Sequence, residues 1–136
     1  MSNKDILTKI RNSSFYLDKI TAKKINKKPD YTQVNINQHT VCTILEGSGD
    51  NLLIKVNIKT FLEPEALFSI EMEYIMEFEF KEEITDKEIK DNIDEIIAPL
   101  GRVSSYIIAS ITKEMLGSYM ILPPIIKANE IERINK

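Results

Sequence analysis

The sequence predicts an α+β fold: a four-stranded antiparallel sheet, then a long packing helix and a short C-terminal segment. Three observations carry this. Apolar residues recur with period two up to residue 80, the strand signature. From residue 85 to 116 the period changes to 3.6, the helix signature. Pro123 and Pro124 then bar the apolar stretch that follows from regular helix.

The clearest strand runs from Phe68 to Phe80. Phe68, Ile70, Met72, Tyr74, Met76, Phe78 and Phe80 alternate with Ser69, Glu71, Glu73, Ile75, Glu77 and Glu79. A pleated strand sends successive side chains to opposite faces, so one face is core and the other wet and acidic. One solvated face points to an antiparallel sheet. Ahead of it, Leu52, Ile54, Val56 and Ile58 face the core with Lys55 and Lys59 outward, across from glutamates of the next strand. Glu63-Pro64-Glu65 is a tight-turn sequence, and Gly47-Ser48-Gly49-Asp50-Asn51 a hairpin loop. Two earlier strands are expected at Tyr31 to Leu45 and Phe15 to Ile25. Residues 1–14 form an N-terminal extension to a single domain over 15–136; for residues 1–12 a short helix and a loose extension are both compatible with the pattern.

Thr85-Asp86-Lys87-Glu88 is a capping box, in which the Thr hydroxyl and Glu carboxylate satisfy each other's free amides. Ile89, Ile93, Ile96 and Ile97 follow as a narrow apolar stripe. Pro99 is expected to end this helix, because the residue before a proline is pushed out of the helical region. A second helix, Leu100 to Leu116, has Leu100, Val103, Ile107, Ile111 and Met115 as its core stripe, widened by Ile108 and Leu116, and Gly117 as its stop. Ser104, Ser105, Ala109, Ser110 and Thr112 form a small-residue flank on which a second copy could pack closely. Residues 129–136 are compatible with one more helical turn.

Composition bounds the function. At 136 residues with 43% hydrophobic and 29% charged residues, the chain is a soluble one-domain protein with a real core. A net charge of −3 does not suggest a nucleic-acid partner. Charge is segregated. Residues 1–60 hold ten cations against five anions, residues 61–98 three against thirteen, and residues 99–136 five against three. One cysteine suits a reducing compartment, no apolar run reaches membrane-spanning length, and the N-terminus lacks a signal-peptide core. A cytoplasmic location is the expectation.

Catalytic groups are scarce. His39 and Cys42 stand three apart on a strand, hence on opposite faces, and supply at most two of the four ligands of a zinc site. The glutamates of the 68–80 strand read as a solvated face, with docking of a basic partner left open. No phosphate-binding glycine loop is present. The expectation is a protein that is no enzyme, with no metal, no cofactor and no membrane insertion. The apolar stretch Tyr119 to Ile126 has two readings: a segment packed over the sheet or an interface, or one wall of a groove for extended peptides.

The order of these elements resembles the SecB family of export chaperones. Ala98-Pro99-Leu100-Gly101-Arg102-Val103-Ser104-Ser105-Tyr106 through Gly117 is similar to that family's long helix. Leu122-Pro123-Pro124-Ile125 matches its proline element after the glycine, and Phe15 to Ile25 its first strand. The resemblance covers roughly residues 15–131 and rests on the arrangement, since no single motif in it is highly specific. It implies an ATP-independent holdase for unfolded polypeptides, assembled as a dimer of dimers, with a chaperone dedicated to one partner such as an antitoxin also within the family's range. By position it implies client contacts at Tyr31, Val34, Tyr119, Met120, Ile121, Ile125 and Ile126. It also implies docking of the export ATPase SecA through acids on the outer face of the sheet. Glu71 and Glu73 match these acids, whereas Lys24 and Lys28 stand with reversed sign on the first strand, which opposes SecA docking. An adaptor whose apolar segment is buried in its own oligomer, or a small-ligand pocket on the same scaffold, are the competing classes.

Overall fold

The computed structural model describes residues 4–25, 35–63 and 67–134. A short helix α1 (Lys4–Thr8) leads into four long strands, β1 (Ile10–Ile25), β2 (Asn35–Ser48), β3 (Asn51–Glu63) and β4 (Leu67–Phe80). Helices α2 (Asp86–Asp91), α3 (Ile93–Ile97) and α4 (Pro99–Leu116) follow, and the chain closes with a fifth strand, β5 (Glu130–Arg133). The sheet order is β1-β4-β3-β2-β5. All pairs are antiparallel except β2 with β5, which is parallel.

The fifth strand corrects the expected four-stranded sheet with a helical turn at its end. An exposed strand edge carries unpaired backbone groups, and that demand outweighs the weak helical preference of a short tail. Asn129 clamps the entry: its amide donates to the Thr40 carbonyl at 2.8 Å, and its side-chain oxygen accepts from the Thr40 amide at 2.7 Å. Ile131 then lies opposite Cys42. At the other end the Arg133 guanidinium pairs with Asp86 and donates to the Gly47 carbonyl at 3.2 Å. The β1 strand also starts earlier than the sequence suggests, at Ile10, and Ile6 of α1 is buried in the core, so this part of the N-terminal extension belongs to the fold.

The alternation read from β3 and β4 is observed: Leu52, Ile54, Val56 and Ile58 face the core, as do seven of the eight apolar residues from Phe68 to Phe80, Ile75 facing outward. Outward, Lys59 lies opposite Glu71, and Lys55 reaches Glu73 at 3.9 Å. Asn57 donates to Glu71 at 2.9 Å. Part of the charge segregation is therefore met within the sheet. The hairpin closes in two residues, Gly49 and Asp50, with Gly49 at φ 64°, which a residue without Cβ adopts without penalty.

Helix α2 starts at the expected capping box, with the Glu88 amide donating to Thr85 Oγ1 and the Thr85 amide to the Glu88 carboxylate. The Lys9 ammonium bridges Glu88 at 3.0 Å and Glu82 at 3.1 Å, tying α1 to α2. That contact holds the Glu88 carboxyl below its ordinary range and Lys9 above its own. The stretch breaks once more than expected, at Asn92 (φ −119°, ψ 18°), whose side chain donates to the Glu88 carbonyl at 2.8 Å, while the boundary expected before Pro99 is also present, with α3 ending at Ile97. Ala98 stays helical (φ −50°, ψ −38°), and Pro99 becomes the first residue of α4, where a missing N–H costs nothing. Gly117 ends α4 in the left-handed conformation at φ 82°, as read from sequence.

Cys42 lies in the core, and burial pushes its thiol up to about 12, with the charge of Asp94 adding to the rise. Only thiolate reacts with disulfide reagents. Ellman's reagent at pH 8 is therefore expected to leave the native protein unlabelled and to modify one thiol once urea is added. Rapid labelling without denaturant would contradict this core.

Candidate functional site

Helix α4 buries Leu100, Gly101, Ser104, Ile108 and Thr112, a face rotated from the stripe read in the sequence. Val103, Ile107, Ile111 and Met115 are only partly buried. The cause is the small-residue flank, which is occupied by the chain's own residues 118–128. Ser105 Oγ donates to the Leu122 carbonyl at 2.7 Å, and the Met120 amide donates to Thr112 Oγ1 at 2.9 Å. At Gly101 a Cβ would stand 2.5 Å from the Pro124 carbonyl oxygen, so the close approach requires glycine. The Asp94 carboxylate accepts from the Ala128 amide at 3.0 Å and fixes the far end.

This cradle holds an extended segment that alternates. Met120 and Leu122 turn inward against the core, and Ile126, at 6% exposure, is part of it, so Met120 and Ile126, which the resemblance implies as client contacts, face the core instead. Tyr119, Ile121 and Ile125 turn outward, at 62%, 79% and 67% exposure. One side of the stretch thus packs against the core while the other faces outward. The outward side is an apolar ladder on a backbone anchored by side-chain hydrogen bonds. Leaving such side chains in water forgoes about 1.5–3 kcal/mol each that burial would return. Lys113 Nζ stands 5.6 Å from the centre of the Tyr119 ring, an interaction that orients the ring.

Tyr31, Val34 and Lys28 lie outside the described residues. Glu71 and Glu73 are on the outer face of the sheet, engaged by Asn57 and Lys55. Lys24 is opposite Phe68, hence on the inner face, away from these two glutamates. A register shift between Leu17 and Lys19 reverses the alternation and brings Lys19 and Lys23 to the outer face instead, opposite Glu73 and Ser69. A bulge of this kind has no reliable signature in one sequence.

Sequence reasoning also missed exposed apolar groups. Tyr106 on α4 is 74% exposed, and Phe15, Tyr16 and Ile20 are exposed along β1. Strand β1 pairs only with β4 among the described residues, so its second edge is open. The adjacent Phe15-Tyr16 pair was the available signal, because neighbours on a strand face opposite ways and place apolar groups on both faces. His39, on the outer face, meets Glu130 at 2.8 Å. Among the described residues no three His, Cys, Asp or Glu side chains converge as a metal site, and no helix is long and apolar enough to cross a membrane.

No protein-family model matches the chain, and no curated protein matches it in sequence. Solved structures do. The chain is similar to the Mycobacterium tuberculosis Rv1957 SecB-like chaperone, solved in complex with a ChAD peptide from the Rv1956 HigA1 antitoxin, at a TM-score of 0.70 and 8% identity. That superposition covers 89% of this chain and 94% of the other. It is also similar to a protein of unknown function from Streptococcus agalactiae, at a TM-score of 0.50 and 10% identity, over 81% of this chain and 93% of that one. At such identities the likeness concerns the backbone alone, and on that ground the chain has the SecB-like fold.

Proposed function

We propose that this protein is a chaperone of the SecB kind, an ATP-independent holdase that binds unfolded or partly folded polypeptides and catalyses no reaction. The observation that carries this reading is the outward ladder of Tyr119, Ile121 and Ile125, kept exposed on a segment whose inward side is anchored. A holdase must bind many sequences weakly, and a few apolar side chains on an extended frame suit that task. Tyr31 and Val34 extend the client surface in this reading, while Met120 and Ile126 support it from beneath.

The working form is a homo-oligomer, a dimer of dimers in the cytoplasm. The open β1 edge with its exposed Phe15 and Ile20, and the half-buried apolar stripe of α4, support association of copies. A chaperone dedicated to one partner, such as an antitoxin, is the second reading, favoured by the antitoxin peptide in the Rv1957 complex. Coupling to SecA fits less well, since Lys19 and Lys23 share the outer face with Glu71 and Glu73.

The test is light scattering from chemically unfolded proteins diluted into buffer with this protein and no nucleotide. Near-stoichiometric suppression for several unrelated proteins is expected of a general holdase. Suppression for one native partner alone would mark the dedicated form, and suppression of none would reject both.

A further inference from the structure

The ladder is not electrically neutral at its borders, and this bears on what it binds. Lys113 stands over the Tyr119 ring and donates to the Gly117 carbonyl at 3.1 Å. Lys127 follows Ile125 by two residues and is exposed. Arg102 lines a cavity of about 330 Å³ with Ala98, Pro99, Val103 and Pro124, directly beside Ile125 in the chain. Lys113, Lys127 and Arg102 form no ion pair with any carboxylate of the described residues. Of the acids nearby, Glu130 meets His39 at 2.8 Å, and Asp94 accepts from the Ala128 amide while keeping its charge. Between residues 99 and 129 one acid, Glu114, stands against these three cations.

We infer that, within the chaperone reading, the ladder selects extended apolar segments flanked by acidic residues. This rests on that reading and adds the chemistry of the client. The backbone bonds of the segment run to side chains of Thr112, Ser105 and Asp94. An extended client lying along it seats alternate apolar side chains against Tyr119, Ile121 and Ile125. Its flanks then fall near Lys113 at one end and Arg102 and Lys127 at the other. Exposed charges contribute modestly to affinity but strongly to the choice between partners, because like charges oppose docking while opposite charges attract. Screening by salt follows from their exposure.

The experiment measures fluorescence anisotropy of short labelled peptides that share one alternating apolar core. The core is flanked on both sides by glutamates, by lysines or by serines. At low salt the glutamate-flanked peptide is expected to bind about five- to tenfold more tightly than the lysine-flanked one, with the difference shrinking as salt rises. The combined Arg102→Glu, Lys113→Glu and Lys127→Glu variant, with its circular dichroism unchanged, is expected to invert the order. Equal binding of all three peptides, or preference for lysine flanks, overturns the acidic preference and leaves the chaperone reading standing. Failure of every peptide together with no suppression of aggregation overturns both. Co-sedimentation with anionic phospholipid vesicles, with no discrimination among peptides, would assign the ladder to a membrane surface and overturn the proposal as well.

Discussion

Replacing Tyr119 and Ile121 together by aspartate is expected to abolish suppression of aggregation while leaving the fold and the oligomer intact. Both side chains are mostly in solvent, so neither removal opens a cavity. Surface substitutions of this type change stability by about 0.5 kcal/mol or less. The contact between Lys113 and the Tyr119 ring adds about 0.5–1 kcal/mol to that loss. Client binding has more to lose. Two apolar anchors forgo about 1.5–3 kcal/mol each when they no longer bury client surface, a weakening of roughly two orders of magnitude or more. Titration of an unfolded client, alongside a thermal melt and a sedimentation profile, separates these effects. A variant that melts early or dissociates would place this side of the segment in the oligomer and make it the buried adaptor element instead.

Gly101→Ala is expected to destabilise the protein, against the general rule for helices. In a helix interior alanine is favoured over glycine by about 1 kcal/mol. Here the added methyl would meet the carbonyl oxygen of Pro124 at 2.5 Å and its carbon at 2.9 Å, both backbone atoms that cannot swing aside. Overpacking of this sort costs about 1–3 kcal/mol, enough to reverse the propensity gain. Relief requires the extended segment to lift from α4, which strains the Ser105 and Thr112 hydrogen bonds that aim the ladder. A melting temperature lowered by several degrees and weaker client binding are expected together. A variant more stable than wild type would mean that the segment does not pack against α4 as described.

The two substitutions separate the roles of the segment's sides. One removes what the outward side offers a client. The other disturbs how the inward side is held. Loss of binding in both, with loss of stability only in the second, is the pattern expected of an exposed site on an anchored frame.

The sequence by itself determined the elements whose residues carry their own instructions. Strands β3 and β4 were legible because period-two alternation sorts side chains between two faces whatever the neighbours are. The capping box at Thr85 and the left-handed stop at Gly117 were legible because both are short-range contacts. The exposure of Tyr119, Ile121 and Ile125 was half legible, since proline placement excluded a helix but could not say which residues faced out. Only the tertiary structure decided the rest. The fifth strand depends on an open edge of β2 far back in the chain, with Asn129 reaching Thr40, 89 residues earlier. The bulge near Asp18, which moves Lys24 to the inner face, is set by pairing with β4. The rotation of α4, which leaves Val103, Ile107, Ile111 and Met115 half exposed, follows from residues 118–128 filling its small flank. In each case a distant partner settled what local sequence left open, because backbone hydrogen bonds and close packing are satisfied globally and not residue by residue.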